Sequence, residues 1–279
     1  MDERVAVVIP ARNEENLIGK TLAALFAQYT RPSKVVVVND GSTDRTTEVA
    51  SAAGAEVIAM KDRGYSAQGS PVFARVVNCG LDRLKESGYA ENDDYIMILG
   101  ADHILPPNYV TCVLDMMAIE KEIVVCSGQI SGEESVIPRG SGRIVSADFW
   151  NKIGLRYPEN YGFETYLLIK AQQLGYKVKV MDELMTTTQR KTRRSYKSDV
   201  YISYGKSLKA LGYNRLYSAA RIGRISLHSP RGAFNMLKGY INKDIETYEP
   251  ELRSYLRSAQ YERIKRYVTK PVRALSEAT

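Results

Sequence analysis

Histidine is scarce in this 279-residue chain, cysteine nearly so, and long apolar runs are missing. No stretch of 18 apolar residues occurs, so no transmembrane helix is expected. The three cysteines, Cys79, Cys112 and Cys126, lie in apolar surroundings without CxxC spacing. That pattern suggests reduced thiols in the cytosol rather than a disulfide frame or a zinc site. The opening "MDERVAVVIP" is acidic and enters a strand at once, unlike a secretory leader. Internal repeats, low-complexity linkers and nucleic-acid-binding motifs are absent as well, and "PARNEE" after the first apolar run is not the glycine-rich basic loop of a nucleotidyltransferase. With only two histidines present, "YIMILGADHILPP" (95–107) looks like half of a metal site: an apolar run ending in the lone carboxylate of Asp102, with His103 beside it.

What is there is an ordinary soluble composition, 44% hydrophobic and 25% charged with mean hydropathy −0.29. The charge is unevenly placed. Residues 190–279 hold 20 of the 39 lysines and arginines against 7 of the 32 acids, a net of +13, so residues 1–189 carry −6. A basic tail on an acidic body suggests an anionic partner surface, membrane or nucleic acid.

Along residues 1–125 strands and helices alternate. Apolar runs at 5–10, 34–40, 55–60 and 94–100 read as strands, and residues 15–28, 44–54, 70–88 and 108–120 as helices. Leu17, Ile18, Leu22, Leu25 and Phe26, for example, fall at helical spacing. The order predicts a mostly parallel sheet with helices on both faces, and ligands bind such sheets at the strands' carboxyl ends. The loops at 10–14, 39–44 and 100–106 are therefore the candidate site. Later come a glycine-containing loop, short strand and helix (139–154), a helix followed by a strand (161–181), and basic, tyrosine-rich helices beyond Thr186.

In "VVNDGSTDRT", Asp40 and Asp44 flank a turn at a strand tip, where a carboxylate accepts hydrogen bonds from a base or ribose. The plainer alternative is that Asp40 shapes the turn and Asp44 caps a helix. The order "VIPARNEE", then "NDGSTD", then a strand ending in an Asp before prolines resembles the family 2 glycosyltransferases of GT-A fold, the group that contains dolichyl-phosphate mannosyl- and glucosyltransferases. The resemblance covers about residues 4–185.

This resemblance implies a GT-A, Rossmann-like catalytic domain over 1–189 and a basic helical extension over 190–279 packed on it. Pro10, Ala11, Arg12 and Glu14 match the first nucleotide loop, with Glu14 facing the ribose or base. Asp40, Gly41 and Ser42 match the base-binding turn, and Gly100-Ala101-Asp102 the Asp-x-Asp motif, whose last aspartate holds Mn²⁺ or Mg²⁺. Glycine in place of the first aspartate puts a donor-sugar contact in doubt more than the metal. His103, or His228 from the tail, is a further candidate ligand, against the plainer reading of His103 as a loop residue.

The family's Glu-Asp pair falls on Glu164-Thr165, making Glu164 the candidate base for an in-line, inverting displacement; the alternative is a carboxylate serving a helix N-terminus. A phosphate acceptor is already anionic and needs no strong base. "QRKTRR" lacks the Arg-Trp of processive members in register, and its Arg190 and Arg194 either clamp a diphosphate or acceptor phosphate or belong to a solvated basic loop. Basic helices carrying Tyr201, Tyr204, Leu208, Leu211, Tyr213, Leu216 and Tyr217 suit an anionic membrane surface, the alternative being that these faces complete the core. The expectation is a cytoplasmic enzyme, peripheral on the membrane's cytoplasmic face, that moves a hexose from a nucleotide sugar, with a lean to GDP-mannose, onto a polyprenyl phosphate or lipid-linked glycan, and has no nucleic-acid partner. The alternatives are a UDP-sugar-dependent enzyme acting on a glycan, or a catalytically inactive GT-A binding domain.

Overall fold

The computed structural model describes residues 4–67, 69–90, 94–190 and 198–269. Two compact units divide the chain: the described residues of 1–159 with 174–193, and of 160–173 with 194–279.

The first unit holds every strand among the described residues. Its elements are β1 (Val5–Ala11), α1 (Ile18–Phe26), β2 (Lys34–Asn39), α2 (Thr46–Ala52), β3 (Glu56–Ala59), α3 (Pro71–Glu86), β4 (Tyr95–Ile98), β5 (His103–Ile104), α4 (Tyr109–Ile119), β6 (Ile123–Ile130), β7 (Arg143–Ser146), α5 (Ala147–Lys152) and, after an excursion into the second unit, β8 (Lys177–Thr188). The sheet runs β3-β2-β1-β4-β7-β6-β8-β5. β1 pairs in parallel with both β2 and β4, β7 lies antiparallel between β4 and β6, and β5 closes antiparallel on β8.

Side-chain alternation explains why helices cover both faces. Val5, Val7 and Ile9 of β1 join Ile18, Leu22 and Leu25 of α1 and Val110 and Val113 of α4 in one buried cluster. Val8 of β1 and Val38 of β2 face the other way, against α3, where a Cβ on Gly80 would stand 2.4 Å from Val8 Cγ1. Strands buried on both faces read as continuous apolar runs, as "VAVVIP" and "KVVVV" do. Strand order reverses at β1 and β4, so the crevice beyond their carboxyl ends is where a ligand fits such a sheet.

The second unit is helical: α6 (Phe163–Gln173), α7 (Ser198–Ala210), α8 (Arg215–Ser226), α9 (Pro230–Ile241) and α10 (Pro250–Thr269). α6 groups with the tail helices rather than with the strands before residue 189. Ile169 of α6 is buried with Ala210, Leu211, Tyr248, Leu252 and Leu256, and Tyr166 stacks on Tyr248 at 4.8 Å. α7 and α9 cross closely: a Cβ on Gly205 would lie 1.9 Å from Met236 O, and one on Gly239 would lie 2.0 Å from Ile202 O.

The tail's apolar residues are shared differently from the amphipathic expectation. Tyr201, Leu208 and Leu211 are core, whereas Leu216 is exposed. Among the described residues no helix is long and apolar enough to cross a membrane.

Candidate active site

The site is built where β1, β2 and β4 end. Parallel register puts Ala11 opposite Asn39, and the Asp40 N–H donates to Ala11 O at 2.8 Å, bringing the first two loops side by side. Arg12 fastens them: its guanidinium donates to the Asp40 and Gly41 carbonyls and to Asp62 Oδ1 (2.7 Å). Asn13 stands in the left-handed region (φ 54°), held by its N–H to Ser42 Oγ (3.0 Å) and by its Oδ1, which accepts from Thr43 N–H (2.9 Å). Gly41 has φ 69°, and a Cβ there would fall 2.4 Å from Asp62 Cα, so the turn demands glycine. Asp44 stands just before α2 and accepts from Thr46 N–H and Oγ1 and from Glu15 N–H. Burial works against its charge, but those hydrogen bonds outweigh it and leave its carboxyl below the ordinary value.

Asp40 is buried, and both of its carboxylate oxygens accept from Arg63. Arg63 in turn lies over the Tyr65 ring, 5.2 Å from its centroid. Sequence reasoning missed Arg63, since "KDRGYSA" carries no motif; its only signal is a cation one loop beyond a strand tip.

The third loop meets the first through Arg190. The Glu14 amide donates to Thr46 Oγ1 (2.8 Å) and its carbonyl accepts from Leu17 and Ile18, so the start of α1 fixes its position. Its Oε1 accepts from Arg190 Nη2 at 2.6 Å, while Asp102 Oδ2 accepts from Arg190 Nε at 3.1 Å. Arg190 arrives there because β8 runs to Thr188, longer than the expected strand ending at 181, and Gln189 N–H then donates to Asp102 O (2.8 Å). Glu14 Oε2 is buried with no hydrogen-bond partner. Burial pushes the Glu14 carboxyl above its ordinary value, with Arg190 working against the rise. Two carboxylates bridged by one guanidinium at strand tips make an anion-and-cation site of the kind a nucleoside diphosphate with a divalent ion would occupy.

The profile of the glycosyl transferase family 2 domain matches residues 6–184, well over half of the chain. The chain belongs to glycosyl transferase family 2. A 58-residue stretch is 47% identical to 4,4'-diaponeurosporenoate glycosyltransferase of Staphylococcus aureus (strain USA300); it is 21% of this chain and only 15% of that protein. Solved structures of similar fold include the mannosyltransferase PcManGT from Pyrobaculum calidifontis in complex with GDP-Man and Mn²⁺ (TM-score 0.58, 14% identity, 99% of this chain and 84% of that one). Two others are glucosyl-3-phosphoglycerate synthase from Mycobacterium tuberculosis with Mn²⁺, UDP and glucosyl-3-phosphoglycerate (0.54, 18%, 74% and 79%) and S. aureus TarS 1–349 with UDP-GlcNAc (0.55, 16%, 91% and 78%). These likenesses show the GT-A fold of this family 2 chain.

Within that fold, Gly100 N–H donates to Ser141 Oγ (2.8 Å), and a Cβ on Gly100 would stand 3.0 Å from the same oxygen. Ser141 occupies the space toward which a side chain at 100 would point. His103, a candidate ligand or an exposed loop residue by sequence, has both ring nitrogens engaged. The ring is buried, with Nδ1 2.6 Å from Ser141 Oγ and Nε2 2.7 Å from Thr186 Oγ1. Thr186 Oγ1 donates to Gln129 O (2.7 Å), so it accepts from Nε2–H, and Nδ1 accepts from the Ser141 hydroxyl. Burial pushes the imidazole pKa down to about 4, against the pull of Asp102. His103 is a neutral brace between the β4 tip and β8.

Of the other expected residues, Pro10 and Ala11 end β1, and Ser42 holds the turn through its N–H to Asn39 Oδ1 (2.8 Å). Ala101 is core, its carbonyl accepting from Thr21 Oγ1 (2.8 Å). Glu164 is exposed in the first turn of α6, and His228 is exposed between α8 and α9, both in the second unit. Arg194 lies outside the described residues.

No group of three or more His, Cys, Asp or Glu converges among the described residues. The available donors are carboxylate oxygens, Asp102 with Glu14 Oε2 near by on the shared arginine. That set fits a hard cation that keeps several waters and takes diphosphate oxygens, and does not fit an ion caged by protein alone.

Proposed function

We propose that the chain transfers a hexose, with inversion, from a nucleotide sugar to a phosphate or glycan acceptor at a membrane surface. The observation that carries this reading is the convergence of Glu14, Asp102 and Arg190 beside the Asp40 turn. Asp40 next to Arg63 presents an acceptor beside a donor, the complement of the N–H and C=O edge that guanine and uracil share. The lean to GDP-mannose rests on the resemblance to dolichyl-phosphate mannosyltransferases; similar folds hold GDP-Man, UDP and UDP-GlcNAc.

Glu14 and Asp102 hold Arg190 in place before the donor arrives. The guanidinium then passes to the diphosphate, which frees Asp102. Asp102 would hold Mn²⁺ or Mg²⁺, which supplies charge neutralisation to the leaving diphosphate. The acceptor oxygen attacks the anomeric carbon, its bond forming as the bond to the diphosphate breaks on the opposite face. With a neutral hydroxyl a base must take the proton; a phosphate acceptor needs no such transfer.

A second reading, a donor-binding domain without catalysis, is favoured by Gly100 and Thr165, which thin both acidic pairs. The test is thermal unfolding with GDP- and UDP-sugars, with and without Mn²⁺. A donor at a hundred times its dissociation constant stabilises by about 2.7 kcal/mol, whereas a flat response to all sugars removes the donor site. Sugar release from a stabilising donor then separates enzyme from binding domain.

A further inference from the structure

We propose that the exposed faces of α8 and α9 form a docking surface for an anionic lipid bilayer. The inference deepens the membrane part of the function proposed above and does not depend on which donor is used.

The two faces of α9 differ. Gly232, Ala233, Met236 and Gly239 are buried, and the helix crosses α7 closely at Gly239. The opposite stripe carries Phe234 (67% exposed), Leu237 (41%) and Ile241 (62%) at spacings of three and four, with exposed Arg231 and Lys238 along the same side. α8 repeats the arrangement: Leu216 (75%), Ala220, Gly223 and Leu227 (78%) recur at spacings of three and four, flanked by Arg215 and Arg224. Single exposed apolar residues are common, but two such stripes on consecutive helices are not explained by the core they leave behind.

Charge decides the occupant. Residues 215–241 contain five lysines and arginines and no aspartate or glutamate. Among the described residues, no carboxylate pairs with Arg215, Arg224, Arg231 or Lys238, whereas the first unit's Arg4, Arg12, Arg63, Arg75 and Arg83 all make ion pairs. Apolar side chains ringed by unneutralised cations match the boundary between acyl chains and anionic headgroups, where each basic residue strengthens binding about fivefold. A second copy of this face would set cation against cation, and a nucleic acid would gain nothing from Phe234, Leu237 and Ile241 at a phosphate backbone.

The test is co-sedimentation of the full chain with phosphatidylcholine vesicles, with and without about 30% phosphatidylglycerol. The expected result is binding that is at least tenfold tighter with the anionic lipid and weakens with salt. F234S/L237S/I241S should lose tenfold or more with unchanged circular dichroism; R231Q/K238Q, at exposed positions, should lose several-fold and serves if the serine variant misfolds. No vesicle binding, or equal binding by both variants, overturns the proposal. So does a dimer that the serine variant converts to monomer in light scattering, or tighter retention by duplex RNA than by vesicles. Donor-induced thermal shifts are read in the same samples. Vesicle failure with an intact shift sinks the docking surface alone, and a missing shift with intact vesicle binding sinks the donor site alone.

Discussion

The two units treat their arginines in opposite ways. At the strand tips of the first unit every cation of the site is engaged: Arg12 with Asp62, Arg63 with Asp40, Arg190 with Glu14 and Asp102. On α8 and α9, Arg215, Arg224, Arg231 and Lys238 face no carboxylate among the described residues. A net charge of +7 hides this division. Paired arginines hold loops and, on the proposed function, would exchange partners when a diphosphate arrives; unpaired ones would create a field for the proposed anionic surface.

The largest expected effect is on the paired side. Asp102→Ala should lower cation-dependent transfer by at least about a hundredfold, since on the proposed function it removes the carboxylate that would hold the cation neutralising the developing diphosphate charge. If it left transfer intact, the strand-tip reading would be wrong, and the two regions would no longer differ in role. Next comes acid stability. His103 has its folded pKa depressed to about 4 from 6.5, so the native ring binds fewer protons than the unfolded one between those values. Its contribution is present above pH 6.5 and is lost as pH falls toward 4, a change of about 3 kcal/mol. His103→Asn should flatten the acid limb of stability in chemical denaturation.

Gly239→Ala should destabilise the second unit by about 1–3 kcal/mol, because the methyl meets Ile202 O and helices α7 and α9 have to separate. Differential scanning calorimetry would see it; an unchanged transition would contradict the close crossing of α7 and α9. The smallest effect belongs to Arg190→Gln. Without its partner cation the Glu14 carboxyl should rise further. Mn²⁺ should bind the donor-free protein several-fold more tightly, while kcat/KM falls as the diphosphate loses a guanidinium contact. Titration of Mn²⁺ against both proteins separates these outcomes.

Strand tips were legible because parallel strands advertise themselves as apolar runs ending in Asp, Asn or Gly. That pattern marked Asp40 and Asp102 with no structure in hand. The partners of those residues were not legible. Arg63 lies in a loop without a motif, and Ser141 is 38 residues from His103, joined to it only by the β7 insertion between β4 and β6. His103 looked like a ligand because burial, which makes it a brace, is invisible in a short polar loop. The tail misled in a different way. Tyr201 and Leu208 fit an amphipathic stripe as well as Phe234 and Leu237 do, and only close packing at Gly205 and Gly239 decided which residues became core.

Nucleotide-sugar turnover with and without Mn²⁺, for the intact chain and for Asp102→Ala side by side, tests the central claim most directly. The account predicts release of nucleoside diphosphate from one GDP- or UDP-sugar that needs both the cation and the carboxylate. Turnover that persists in Asp102→Ala, or no turnover with any GDP- or UDP-sugar in the presence of acceptor, would contradict it.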